Sequence, residues 1–349
     1  MDNRTSFSCD YMEGAHPEII RRLAETNLLQ TPGYGFDDIC DSAKAKIRTA
    51  CGTPDADVYF LVGGTQTNSV MIDAFLRTYQ GVVAAESGHV AVHEAGAIEH
   101  NGHKVLTLPQ KNGKITAQQI KELLQKFYAD ATWEHMVTPG MVYLSQPTEY
   151  GTLYSRGELA DISAVCREYD IPLYVDGARL AYALACPEND VTLRDMAQLC
   201  DAFYIGGTKC GALLGEAVVI PQHNRLPHLF TIIKQHGALL AKGRVAGIQF
   251  DTLFTDGLYE SIGRSAIRQA DEIRTALRDG GYELCFGSPT NQVFCIVDEK
   301  EHARLNEKVD FGFWEALDEH RTIIRFATSW ATTDENTALL CSLLREHKA

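Results

Sequence analysis

With 349 residues, 45% of them hydrophobic, the chain is long enough to bury a full core, and roughly 150 residues per domain points to about two domains. A net charge of −14 argues against nucleic acid or an anionic membrane surface as partner, since their phosphates are repelled; an anionic small substrate needs a local cluster of arginines. The opening MDNRTSFSCDYMEG has no basic stretch and no apolar stretch, and no apolar run reaches bilayer length, so a soluble, cytoplasmic protein without an export signal is expected.

The first thirty residues are poor in strand formers and read as a segment (1–30) that packs on a smaller domain or on a partner subunit. Across 31–248, short β-branched runs alternate with helical patterns. VYFLV (58–62), GVVAAE (81–86), HKVLTL (103–108), MVYLSQ (141–146), IPLYVD (171–176), DAFYIGG (201–207) and EAVVI (216–220) are predicted strands. Capping boxes start helices between them, at Thr116 with Gln119 and at Ser155 with Glu158. This alternation predicts an α/β large domain with a mostly parallel sheet covered on both faces. Over 249–349 the pattern changes to one long amphipathic stretch (252–278). ELCF, QVFCIV and IIRFAT follow as hairpin strands, then a helix from Thr333 with a capping box Thr332–Glu335. A smaller α+β C-terminal domain is expected there. The ten cysteines show no CxxC spacing and mostly sit in apolar stretches, so they read as small hydrophobes and no metal site is predicted.

Four groups of residues carry chemistry. Asp176 closes the run IPLYVD and is followed by Gly177, Ala178 and Arg179; an acid at the carboxyl end of a parallel strand lies on the ligand-binding edge. Thirty-three residues further on, Lys209 follows the next strand in YIGGTKCG, an apolar and glycine-rich setting that depresses the amine's pKa and favours a nucleophile. An acid and a lysine on adjacent strand ends suit pyridoxal phosphate, whose ring nitrogen needs a carboxylate and whose aldehyde needs an amine. The bland alternative is a local Asp176–Arg179 ion pair beside a solvated loop lysine. Next, VYFLV leads into Gly63-Gly64-Thr65-Gln66-Thr67-Asn68 and then a helix, whose free N–H groups and dipole make an anion site. Neither a P-loop lysine nor G-x-G-x-x-G is present, so a single phosphate is the expected anion. Finally, His89 ends a strand run and Glu94 lies five residues later. On a regular helix they stand about 140° apart, so both can face a cofactor only across an irregular turn.

Together these residues resemble the low-specificity L-threonine aldolases of the β-eliminating-lyase group, fold type I pyridoxal-phosphate enzymes. The likeness runs along nearly the whole chain. Asp10–Pro17 (D-Y-x-x-G-x-H-P) is similar to the family's N-terminal segment, and Gly33-Tyr34-Gly35 to its YG motif. Gly64, Thr65 and Asn68 match its phosphate turn, and His89 with Glu94 its H-x-x-x-x-E. Asp176 and Arg179 match D-G-A-R, Thr208 and Lys209 the S-K of the Schiff-base lysine, and Arg325 the V-R-F-x-T of the small domain. The resemblance implies a ring-stacking His89, carboxylate contacts from Arg179 and Arg325, and homodimers or homotetramers with shared sites. Tyr34 and a phosphate-binding cation, Lys242 or Arg244, would then come from the partner.

The departures are local. The family serine before the N-terminal aspartate is Cys9 here, and E-N-T-H-N reads Ser145-Gln146-Pro147-Thr148-Glu149, so Thr148 replaces a histidine often credited with handling the β-hydroxyl. Glu149 and His93 are added ionisable groups. The implied reaction is retro-aldol cleavage of L-threonine, L-allo-threonine or a related β-hydroxy-α-amino acid to glycine and an aldehyde, with His89 and then Glu94 as preferred bases and Glu149, His93 or a phosphate-bound water as alternatives. Alternatives are β-elimination from another amino acid on the same scaffold, a non-catalytic cofactor carrier, and a nucleotide-dependent oxidoreductase. The last is disfavoured by the missing dinucleotide fingerprint.

Overall fold

The computed structural model describes residues 4–346, and their strands are divided between two sheets. In chain order the strands are β1 (Thr5–Phe7), β2 (Asp57–Leu61), β3 (Gln80–Ala85), β4 (Val105–Leu108), β5 (Thr138–Ser145), β6 (Leu173–Asp176), β7 (Ala202–Gly206), β8 (Glu216–Ile220), β9 (Gln292–Asp298), β10 (Val309–Ala316) and β11 (Arg321–Ala327). The larger sheet has the order β2-β8-β7-β6-β5-β3-β4 and is parallel except for β8, which runs against both neighbours. Its central strands β6 and β7 are buried throughout, as expected for strands covered on both faces. The parallel run brings the carboxyl ends of β5, β6 and β7 to one edge, with Ser145 in register with Asp176. Because β8 is reversed, its first residue, Glu216, returns to that edge opposite Gly206.

Two glycines allow this edge to close. A side chain at Gly177 would meet the Tyr204 carbonyl oxygen at 2.0 Å, and one at Gly206 the Ala178 carbonyl oxygen at 2.2 Å. The turn after Asp176 therefore lies flat against the end of β7.

The smaller sheet has the order β1-β10-β11-β9, with β1 parallel to β10 and the other pairs antiparallel. It packs on the helices Leu258–Gly280 and Asp334–Arg345 through a core that includes Ile273, Leu277, Phe326 and Leu340. The start of the chain is shared between the two parts. β1 joins this sheet, while the helix Pro17–Glu25 is tied to the helix Arg244–Leu253 by Arg22 and Asp251 at 2.7 Å.

Three local expectations change. The stretch 252–278 is two helices, because Asp256 (φ 51°) and Gly257 (φ 70°) adopt left-handed conformations that an α-helix cannot contain. The last helix is capped by Thr333, whose side chain accepts from the Asn336 N–H, while Thr332 Oγ1 accepts from the Ser329 N–H. ELCF contributes only the isolated bridge Leu284–Cys295, since Phe286 and Gly287 turn left-handed directly after it. Among the described residues, no helix is long and apolar enough to cross a membrane.

Candidate active site

Asp176 is 5% exposed at the end of β6 and is held by a dense set of donors. Its Oδ1 accepts from the Ala178 N–H (2.9 Å), and its Oδ2 from the Tyr143 hydroxyl (2.7 Å) and Asn68 Nδ2 (3.0 Å). Burial pushes this carboxyl up. The charge of His89 and hydrogen bonds from Tyr204, Asn68 and Ala178 outweigh it and hold the group below the ordinary carboxylate value.

Asn68 also donates to Glu94 Oε1 (2.7 Å) and accepts from the Tyr174 hydroxyl (3.0 Å). It therefore lies behind Asp176 as a buried bridge and not in the wall of the cavity described below. Glu94 Oε1 in turn bonds His89 Nδ1 at 2.7 Å. The irregular turn needed for that contact is present: the helix His89–Val92 stops after four residues, and His93 (φ −123°, ψ 16°) leaves the helical conformation just before Glu94. Burial works against a charge on His89, but the bond to Glu94 and the charges of Asp176 and Glu94 raise its pKa above the ordinary histidine value.

Asp176, His89 and Lys209 line a cavity of about 240 Å³ together with Gly64, Thr65 and Thr208. Gly64 begins the helix Gly64–Phe75, whose N-cap Gly63 offers no side-chain hydrogen bond, so its first N–H groups face the cavity uncapped. The Thr208 hydroxyl accepts from the Gly215 N–H (3.0 Å), which fixes the loop carrying Lys209. The Lys209 amine makes no hydrogen bond to a described residue and stands 5.9 Å from the Tyr11 ring centroid. Burial and the Arg179 charge push it below the ordinary lysine value, against the pull of Asp10, Asp176 and Glu216. Glu216 also lines this cavity; burial pushes its carboxyl up to about 8. Only its place at the mouth of the apolar run EAVVI could have marked it in the sequence.

A second cavity, about 410 Å³, shares Tyr11, His89, Glu149, Arg179 and Lys209 with the first and extends to Arg325. Arg325 Nη1 donates to Gln292 Oε1 (3.0 Å) and Nη2 to the Ser8 carbonyl (2.7 Å), while its buried Nε has no partner. Arg179 is differently engaged. Its Nε and Nη2 form a two-point contact with Asp10, at 2.6 and 3.0 Å, which leaves Nη1 for other ligands. Asn291 also donates to Asp10, which is held down at about 2 because Arg179, Lys209 and Asn291 outweigh its burial. The pairing of Asp10 with Arg179 crosses 169 residues and leaves no local signal in the sequence.

Other expected residues lie elsewhere. The Cys9 thiol lines neither cavity, although its neighbour Ser8 holds Arg325. Tyr34 is 43% exposed beneath Lys234, whose Nζ lies 4.8 Å from the ring centroid. Lys242 is exposed, and Arg244 donates to the carbonyls of Thr26, Asn27 and Leu29. Thr148, by contrast, does line the first cavity, but its Oγ1 pairs with Thr152 Oγ1 at 2.7 Å inside its own loop.

Comparison with known proteins agrees with this arrangement. A family model described as beta-eliminating lyase matches residues 8–310. The chain belongs to the beta-eliminating lyase family. A low-specificity L-threonine aldolase of Pseudomonas sp. is 30% identical to this lyase over 99% of the chain and 98% of the relative. The structure of a threonine aldolase from Leishmania major superposes with a TM-score of 0.94 at 41% identity, covering 99% of this chain and 100% of the other. An aspartate aminotransferase from Thermus thermophilus, 15% identical and with a TM-score of 0.71 over 99% of this lyase and 91% of its own chain, shares the fold alone. The two sheets and the helices around them thus form the fold type I architecture.

Proposed function

We propose that this lyase cleaves L-threonine, L-allo-threonine or a related L-β-hydroxy-α-amino acid to glycine and an aldehyde, with pyridoxal phosphate as its cofactor. One observation carries the reading: an unpartnered amine, Lys209, lies between the Asp176 carboxylate in one cavity and the Arg325 guanidinium in the next. The residues fit the cofactor. Beyond Gly63, at the uncapped helix start, a side chain would meet nothing within 4 Å, which leaves room for a phosphate on the N–H groups of Gly64 and Thr65. When bound, the cofactor supplies a reactive aldehyde and an electron-accepting ring.

The remaining work falls to the chain. Asp176, kept ionised by Tyr143, Asn68 and Ala178, holds a proton on the pyridine nitrogen. His89 would lie against the cofactor ring, and Glu94 fixes its orientation through Nδ1. Lys209 would hold the cofactor through its amine, the one amine among the described residues that lines both cavities. Arg325 binds the substrate carboxylate, and Arg179 adds Nη1 beside it. That Tyr34 and Lys242 lie on the surface, outside both cavities, supports a homodimer or homotetramer in which each copy completes its neighbour's site.

The direct test is product analysis. Purified protein loaded with pyridoxal phosphate releases equimolar glycine and acetaldehyde from L-threonine or L-allo-threonine, and not from L-serine or L-tyrosine. Pyruvate and ammonia from L-serine, without acetaldehyde from either threonine, would reassign the reaction to β-elimination.

Arg325 separates binding from chemistry. Arg325→Ala raises KM at least tenfold and leaves the cofactor absorbance in place, because losing one partner of a buried charged contact costs about 2–5 kcal/mol. Arg325→Lys recovers only part, since an ammonium cannot present a planar fork. Full recovery with lysine, measured in initial-rate kinetics, contradicts a two-point contact.

A further inference from the structure

We propose that Glu149 takes the proton from the substrate's β-hydroxyl in place of a histidine; this rests on the aldol-cleavage reading above. Thr148, which stands at the family's histidine position, has its hydroxyl turned into the loop toward Thr152. His89 has one nitrogen committed to Glu94, and its carboxylate surroundings favour the charged ring, which has no free lone pair to accept a proton. Glu149 is arranged differently. Its Oε1 accepts from the His89 backbone N–H (2.9 Å) and the Ser145 hydroxyl (2.7 Å). No other described residue donates to Oε2, and the side chain is only partly buried.

Position adds to this. Glu149 lines both cavities, so it stands where the space around Asp176 and Lys209 meets the space around Arg325. A substrate with its amino nitrogen at Lys209 and its carboxylate at Arg325 spans that junction, with its Cβ hydroxyl beside Glu149. His93, the other local candidate, lines only the outer cavity. Burial pushes the Glu149 carboxyl up, with Asp176 adding and the Ser145 bond opposing, so it is a stronger base than an exposed carboxylate.

The step balances. Glu149 Oε2 accepts the hydroxyl proton, and the pair from that O–H bond becomes the second C–O bond of the aldehyde. The Cα–Cβ bond breaks with its pair left on Cα and delocalised into the bound cofactor. Cα then takes a proton from the Lys209 ammonium. The proton on Glu149 passes through solvent back to the lysine, so none is gained or lost overall.

The experiment uses holoenzyme and separates cleavage from substrate binding. In Glu149→Gln, kcat for cleavage of L-threonine or L-allo-threonine falls roughly 10²–10⁴-fold, the range for losing a general base. Glycine binding, followed by spectral titration, and exchange of the glycine α-hydrogen in D₂O, followed by NMR, stay within about threefold, since neither involves a β-hydroxyl. Glu149→Asp, which keeps a carboxylate, recovers at least tenfold of the lost rate, and His93→Asn stays within a few-fold of wild type. Cleavage by Glu149→Gln near the wild-type rate overturns the assignment. So does loss of glycine exchange in parallel with cleavage, which makes Glu149 a support for His89. Loss of cleavage in His93→Asn alone moves the base to His93. A wild-type enzyme that cleaves neither stereoisomer defeats the aldol reading, and the role of Glu149 with it.

Discussion

Lys209→Ala binds pyridoxal phosphate without a covalent link, and cleavage falls by roughly 10⁴–10⁶-fold, the scale seen when a covalent nucleophile is removed. Borohydride, which reduces a C=N bond to a stable amine, fixes the chromophore on the peptide containing residue 209 in the wild type. It fixes nothing there in the variant. Label on Lys234 or Lys242 in the wild type overturns the assignment. The amine's surroundings add a pH dependence. Burial and Arg179 hold Lys209 below the usual lysine value of 10.5, so its neutral, reactive form appears at lower pH than in an ordinary lysine. Cofactor uptake by the cofactor-free protein therefore speeds up as pH rises and levels off with a midpoint below 10.5. A stopped-flow midpoint at or above that value contradicts a depressed amine.

Asp176→Asn also lowers the rate strongly, and its effect differs in kind from that of Arg325→Ala. The amide keeps the shape of the side chain, and its oxygen can still accept from Tyr143 or the Ala178 N–H. It cannot hold a proton on the pyridine nitrogen. Removing one partner of a buried charge pair costs about 3–5 kcal/mol, so kcat falls roughly 10²–10⁴-fold. The link to Lys209 still forms, KM changes little, and the absorbance of the bound cofactor shifts as the ring loses its proton. A pure KM defect in both Asp176→Asn and Arg325→Ala, measured side by side, contradicts the division of roles between ring and carboxylate.

The network around Asp176 shows how the sequence and the fold divide the information. Asp176 and Lys209 were legible because each ends a short β-branched run, and parallel strands must place such ends on one edge. The helix start at Gly64 was legible for a similar reason, since a strand, two glycines and a helical pattern leave N–H groups uncapped. That His89 and Glu94 can meet only across an irregular turn followed from helical geometry alone, although where the helix breaks, at His93, was not marked. Tyr143 was less visible. Its hydroxyl reaches Asp176 from a strand that reads as plain apolar sequence, and only the register of β5 against β6 brings them together.

What the chain by itself determined is therefore local: strand and helix starts, the uncapped glycine turn, and the residue types that suit a pyridine ring and a carboxylate. These follow from periodicity and from backbone groups that must be satisfied within a few residues. Tertiary structure decided everything that depends on distant partners. It spent two nitrogens of Arg179 on Asp10, turned Thr148 inward, returned Glu216 to the edge by reversing β8, and placed Glu149 at the junction of two cavities. A side chain's remaining donors and acceptors can be counted only after the fold has used the others, and those partners lie up to hundreds of residues away.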